Sequence, residues 1–203
     1  MVDDSLVAFV LDSLPRPPAR VLEVGAGTGE LAEHLRGRGY DVTAIDPASR
    51  TPQVQAVPLH ELDALPESFD GALAVVSLHH VEPLNESCRH LASVVRPGGH
   101  LVIDEFDVAS LDVTAARWWL AQGPAVDVDD VDPTAVVADR QAHLHPLSTI
   151  LTALKPWFEF SAIERGPYLY RWRLRADLRP VEEREIERGR LPATGARVVG
   201  RRC

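Results

Sequence analysis

Val21-Leu22-Glu23-Val24-Gly25-Ala26-Gly27-Thr28-Gly29 is the stretch that decides the fold. Arg20–Val24 reads as a buried strand. The chain then turns through three glycines into residues 30–37, which read as a helix ending at glycine. Bare backbone in such a turn lets a ligand come close. The unpaired N–H groups of the helix start point at that ligand. Dinucleotide sites use a similar loop. Here the spacing is Gly-x-Gly-x-Gly and Glu30 follows it, where its charge would sit against a pyrophosphate. That argues against a nicotinamide dinucleotide.

Outward from this turn, Asp41–Ile45 reads as a strand closed by Asp46-Pro47, with Asp46 seventeen residues after Gly29. A carboxylate at that end of a strand can accept both ribose hydroxyls of an adenosine. An Asp-Pro pair is also a plain turn former. Residues 55–59 predict a weaker third strand, 71–76 a fourth and 100–104 a fifth. The fourth is a small apolar run of the kind covered on both faces. Helices are expected over 5–14, capped near Asp4 or Ser5, and over 86–95. Strands alternating with helices specify an α/β class with a mainly parallel sheet.

Beyond residue 104 the rhythm changes. Residues 110–122 and 132–154 read as helices, separated by a polar break that holds Asp127, Asp129, Asp130 and Asp132. Residues 157–163 and 168–174 read as two strands around Gly166-Pro167, too close for a crossover and therefore antiparallel. No repeat and no second domain is read, so residues 1–203 are expected to form one domain.

The 203 residues are 45 % hydrophobic and 25 % charged, which excludes a disordered chain. No stretch approaches the ~20 apolar residues of a membrane span. Met1-Val2-Asp3-Asp4 opens on acid where a secretory leader carries base, so no leader is expected. Cys88 and Cys203 are too few for a disulfide framework or a zinc site, which predicts a cytoplasmic compartment. Residues 1–164 hold ten basic and 25 acidic side chains, a balance of −15. Residues 165–203 hold eleven arginines and five acids, +6, for a total of −9. The acidic body disfavours nucleic acid. The tail arginines alternate with apolar residues and read as a solvated face.

The rest of the chain keeps a fixed order: Glu61-Leu62-Asp63-Ala64-Leu65-Pro66, Ser68-Phe69-Asp70, Ser77-Leu78-His79-His80-Val81, then Arg96-Pro97-Gly98-Gly99-His100-Leu101-Val102-Ile103. With these motifs in place the chain resembles the class I S-adenosylmethionine-dependent methyltransferases of the small type 11 kind, closely over about 20–106. The resemblance implies a Rossmann-like, doubly wound seven-stranded sheet, mostly parallel with an antiparallel last strand. It implies S-adenosyl-L-methionine as cofactor and S-adenosyl-L-homocysteine as product. By motif position, Gly25, Ala26, Gly27 and Gly29 would line the methionine and ribose, Asp46 would take the ribose hydroxyls, and Pro47 would cover one adenine face. Glu23 would hold the loop or the methionine amino group, and Ser77 and Leu78 would border the methionine. The family's adenine-binding acid falls at Glu61, beside Leu62, with Asp63 a rival.

Methyl transfer from a sulfonium is an in-line displacement, so the protein mainly aligns and excludes water. A general base helps where the acceptor must lose a proton. His79 and His80 are the candidate catalytic residues, since imidazole titrates near pH ~6.5. The alternative is that one packs under the cofactor loop and the other caps the next helix. His143 and His145 lie two apart, do not share a helix face and have no third ligand, so no metal is read. One of Trp118 and Trp119 is expected in the core, the other on an acceptor wall. Tyr168 and Tyr170 read as a covered sheet face. Asp104, Glu105 and Asp107 end the fifth predicted strand near the site without a magnesium pattern. The lid over the acceptor is expected from 107–156. The reading is a methyltransferase for a small-molecule acceptor, with no membrane or nucleic-acid partner. A non-catalytic binding subunit of the same fold is the alternative, and a dinucleotide-dependent oxidoreductase a weaker one. The acceptor and the oligomeric state stay open.

Overall fold

The computed structural model describes residues 3–123 and 131–203. The acids Asp127, Asp129 and Asp130 lie outside the described residues. The strands are β1 (Arg20–Val24), β2 (Asp41–Ile45), β3 (Phe69–Val75), β4 (Val95–Phe106), β5 (Phe158–Phe160), β6 (Glu164–Gly166) and β7 (Gly195–Arg202). They form one sheet in the order β2-β1-β3-β4-β7-β5, with β6 also on β7. The first four are parallel; β7 runs antiparallel to β4, β5 and β6. This is the Rossmann-like α/β sheet with an antiparallel last strand that the resemblance implied.

Both faces of the sheet are covered, which is why the 71–76 run in β3 reads as near-continuously apolar. Alternate residues face opposite ways. Leu22, Val24, Ala72 and Ala74 pack with Leu91 of α3 (Leu84–Val94) and Ile150 of α6 (Leu147–Leu154). Val21 and Leu73 pack with Val10 of α1 (Asp4–Ser13) and Leu35 of α2 (Glu30–Arg36). A third cluster of Phe106, Leu111, Trp119, Tyr168 and Leu169 closes the far end of β4. Trp119 belongs to α4 (Val113–Ala121), stacks on Trp172 at 4.1 Å and donates to its carbonyl at 2.7 Å. Trp118 is half-buried on the same cluster. No helix among the described residues is long and apolar enough to cross a membrane.

Four expectations are corrected. The cap of α1 is Asp3, whose carboxylate accepts from the Ser5 amide at 2.8 Å. Residues 55–59 form no strand: Gln55 makes a single parallel bridge to Ile45, and Pro58, which has no N–H, leads into a 3-10 turn at Leu59–Glu61. The helix expected over 132–154 breaks into α5 (Pro133–His143) and α6 ahead of Pro146, because a residue before proline avoids the helical region. Asp132 caps α5, accepting from the Thr134 amide at 3.0 Å. The strand expected over 168–174 is a 3-10 turn at Leu169–Arg171. The buried Glu182 carboxylate, on α7 (Arg179–Glu187), takes the amides of Tyr168, Leu169 and Tyr170 at 2.8, 2.9 and 2.8 Å. Those donors are then unavailable to a ladder, and the antiparallel partner of β5 is β7.

Candidate active site

The glycine turn leaves β1 with φ values of 72° at Gly25, 56° at Gly27 and 81° at Gly29, all in the region side chains avoid. The Gly25 and Ala26 amides bond to the Ile45 carbonyl at 2.9 and 3.0 Å, tying the turn to β2. A Cβ on Gly25 would lie 2.2 Å from the Cβ of Ser77. Backbone of the β1 turn and of the loop after β3 thus meet at van der Waals distance, and only glycine fits.

Asp46, half-buried at the end of β2, holds this turn directly. One carboxylate oxygen accepts from the Gly27 amide at 2.9 Å and the other from the Ala48 amide at 2.8 Å. Ser49 adds a hydrogen bond from its hydroxyl to the Gly27 carbonyl at 2.9 Å. A cavity of about 480 Å³ opens beside Asp46, with Gly25, Pro47, Pro58, Ser77 and His80 among its walls. On the other side of Gly25 lies a cleft of about 890 Å³, lined by Glu23, Ala26 and Thr28, by residues 3–6, and by Tyr170, Arg171 and Arg179. Gly25 and Val76 belong to both walls. They form a saddle between the two spaces.

The predicted residues are distributed unevenly over this surface. Gly25, Asp46, Pro47, Ser77 and His80 line the cavity, while Glu23, Gly25 and Ala26 line the cleft. Gly27 is held by Asp46, and Gly29 caps α2. Glu61 points outward, 3.5 Å from His60 and 66 % exposed. Leu62 is core, and both it and Asp63 line a separate hollow beside Arg20 and Phe69. None of the three is on the Asp46 cavity, whose apolar wall there is Val57, Pro58, Leu59 and Val81. No described residue of 107–156 lines the cavity or the cleft.

The His79 and His80 rings lie 4.3 Å apart, tilted by 48°, yet differ in setting. His79 is buried, with Nδ1 2.5 Å from the Glu105 carboxylate. His80 is exposed on the cavity wall, and desolvation, aided by the neighbouring His79, holds its imidazole below the ordinary range. His145 reaches Glu82 at 2.9 Å and donates its amide to the His79 carbonyl at 3.0 Å, while His143 sits on the surface of α5. Tyr168 stacks on Phe106 at 4.6 Å; Tyr170 lines the cleft and donates its hydroxyl to Asp3 at 2.5 Å. Sequence reasoning missed Val76 and the cleft wall of Asp3, Tyr170, Arg171 and Arg179. The wall gives no local signal, since its parts are about 170 residues apart in the chain. Among the described residues, no three His, Cys, Asp or Glu side chains gather as a metal site.

The chain matches a family model described as a methyltransferase domain over residues 4–159. It belongs to the class I methyltransferase family. An O-methyltransferase of ubiquinone biosynthesis from Methylocella silvestris is 36 % identical over 187 residues, covering 70 % of this chain and 73 % of the relative. An uncharacterized methyltransferase of Mycobacterium tuberculosis is 37 % identical over 98 residues, 43 % of this chain; the match spans only 40 % of that relative's length. In fold, the chain is similar to an S-adenosylmethionine-dependent methyltransferase of Mesorhizobium loti, with a TM-score of 0.65, 19 % identity, and coverage of 98 % of this chain and 96 % of that one.

The residues present fit S-adenosyl-L-methionine, the cofactor of this family. A side chain at Gly25 would fill the saddle between the cavity and the cleft, which glycine leaves open. The Asp46 carboxylate stands at the cavity edge, and a carboxylate there suits ribose hydroxyls. Glu23 is 4 % exposed and one of its oxygens has no partner, which suits a cationic amino group. Burial pushes its carboxyl up to about 7.

Proposed function

We propose that this protein moves a methyl group from S-adenosyl-L-methionine to a small-molecule acceptor that enters through the cleft beside Glu23. One observation carries the reading: the Asp46 carboxylate is locked onto the glycine turn at the edge of a cavity that continues over Gly25 and Val76 into a second space. When bound, the cofactor supplies an activated methyl on a sulfonium. The chain's own residues do the rest. Asp46 and the glycine turn hold the nucleoside, and Glu23 faces the amino group. Gly25 and Val76 leave a passage at the junction, where an acceptor is aligned for in-line attack. His80 is the candidate base for an acceptor atom that reaches across the junction, since it stands on the wall of the Asp46 cavity and not of the cleft. Its lowered basicity keeps the ring neutral near pH 7 and able to take a proton. His79, bonded to Glu105, orients the same loop.

The roof of the acceptor space is assigned to residues 3–6 and 170–179, which line the cleft. The Methylocella silvestris relative is named for O-methylation in ubiquinone biosynthesis, which supports a small acceptor. The cytoplasm suits a chain whose Cys88 is buried and unpaired. Calorimetry with S-adenosylmethionine, S-adenosylhomocysteine and NADH tests the reading. Both nucleosides should bind and NADH should not. Absence of both would refute it. Binding without turnover across a screen of hydroxyl, amine and carbon acceptors would favour a non-catalytic subunit.

A further inference from the structure

Glu105, at the end of β4, is wholly buried and lines neither the cavity nor the cleft. It nevertheless makes three hydrogen bonds to the loop that joins them and a fourth to its own strand. Oε1 takes the amides of Ser77 at 2.8 Å and Leu78 at 2.6 Å. Oε2 takes the Phe106 amide at 3.1 Å and faces His79 Nδ1 at 2.5 Å. Two successive amides can aim at one oxygen only if the backbone before them is turned. Val76 supplies that turn, with φ of +51°, where a β-branched residue is strained by ~1–3 kcal/mol. Left-handed Val76 followed by Ser77 at φ −136°, ψ −37° forms a concave nest of N–H groups around an anion.

The strain and the carboxylate are therefore two halves of one device. Without the carboxylate, only the Val76 amide on the Asp104 carbonyl at 2.8 Å and the Ser77 hydroxyl on the Val24 carbonyl would oppose relaxation of Val76. With it, Ser77 is held against Gly25, its hydroxyl donating to the Val24 carbonyl at 2.8 Å. His80 is held on the cavity wall three residues beyond Ser77. We infer that Glu105 is a positioning residue: its carboxylate holds Val76 in a strained turn and so sets the saddle that S-adenosylmethionine crosses. The inference rests on the cofactor reading above.

Glu105→Gln preserves volume but supplies a single acceptor atom, so part of the nest loses its partner. Calorimetry should show S-adenosylhomocysteine affinity lowered about tenfold or more. Adding Val76→Gly to that variant should restore part of the loss, because glycine adopts the required φ freely. A carboxylate that served stability alone would give no such rescue, since glycine also removes packing. In the unaltered protein, the Ser77 and Leu78 amides should exchange with solvent as slowly as the interior of β3, although both lie outside it. Wild-type affinity in Glu105→Gln, no recovery in the double variant, or rapid exchange at both amides would each overturn the inference. If Glu105→Gln does not fold, the exchange measurement decides alone. Unaltered protein that takes up no S-adenosylhomocysteine would refute the cofactor reading, while slow exchange would still support the nest.

Discussion

Glu23 ionises near 4.5 in an unfolded chain, but burial lifts its carboxyl to about 7 in the folded one. Between those values the folded form keeps a proton that the unfolded form has lost. The contribution of Glu23 to stability therefore falls as pH rises from about 4.5 to about 7 and is level above, a change on the order of 3 kcal/mol. Urea unfolding at pH 5 and pH 8 should show that loss in the natural protein and its absence in Glu23→Gln. A cationic group bound beside Glu23 favours the carboxylate, so binding of S-adenosylmethionine at pH 6 should release a proton, read from calorimetry in two buffers. At Asp46, replacement by alanine strips the Gly27 and Ala48 amides of their partner. Affinity for S-adenosylhomocysteine should fall at least about tenfold. Asp46 could be singled out from sequence because it follows a strand at the carboxyl end beside a glycine turn. Val76 could not, because a left-handed valine is imposed by Glu105, 29 residues away.

The tail shows how one buried acid changes the fate of a segment. Tyr168-Leu169-Tyr170-Arg171-Trp172-Arg173-Leu174 alternates as a half-exposed strand does, yet Glu182 takes three of its amides and bends it into a turn. The residues that form β7, Gly-Ala-Arg-Val-Val-Gly-Arg-Arg, carry two glycines and three arginines and look unlike a central strand. Their arginines are tolerable because they find acids and carbonyls: Arg197 reaches Asp104 at 2.7 Å, and Arg202 reaches the Ala92 carbonyl at 2.9 Å. Parallel β1 to β4 were legible because each carries a short apolar run bounded by turn residues, most continuous in β3; the antiparallel edge depends on pairings between distant residues. Glu182→Ala would leave three amides without partners, which should cost roughly 3 kcal/mol or more in urea unfolding. Exchange should quicken over 168–178 before it quickens in β3.

Across the whole molecule, the +6 tail is folded against the −15 body. Arg179 grips both oxygens of Asp3 at 2.8 Å, and Arg171 and Arg197 divide the two oxygens of Asp104 between them. These contacts place residues 170–179 over the start of α1 and wall the cleft from both sides. A chain ending at Leu191 would lose the strand that β4, β5 and β6 share. It should give no cooperative unfolding transition by circular dichroism. The position of β7 also bears on how the protein is made. The pairing that completes the sheet joins His100 to Arg201 and Phe106 to Gly195, across roughly ninety to a hundred residues of chain. A nascent polypeptide must therefore carry β4 with one flank bare while all of 107–194 is synthesised. An unsatisfied edge of that kind can pair with another chain. Holding of the emerging chain by a ribosome-bound chaperone should matter most during that interval, and slowed translation before residue 195 should raise the aggregated fraction.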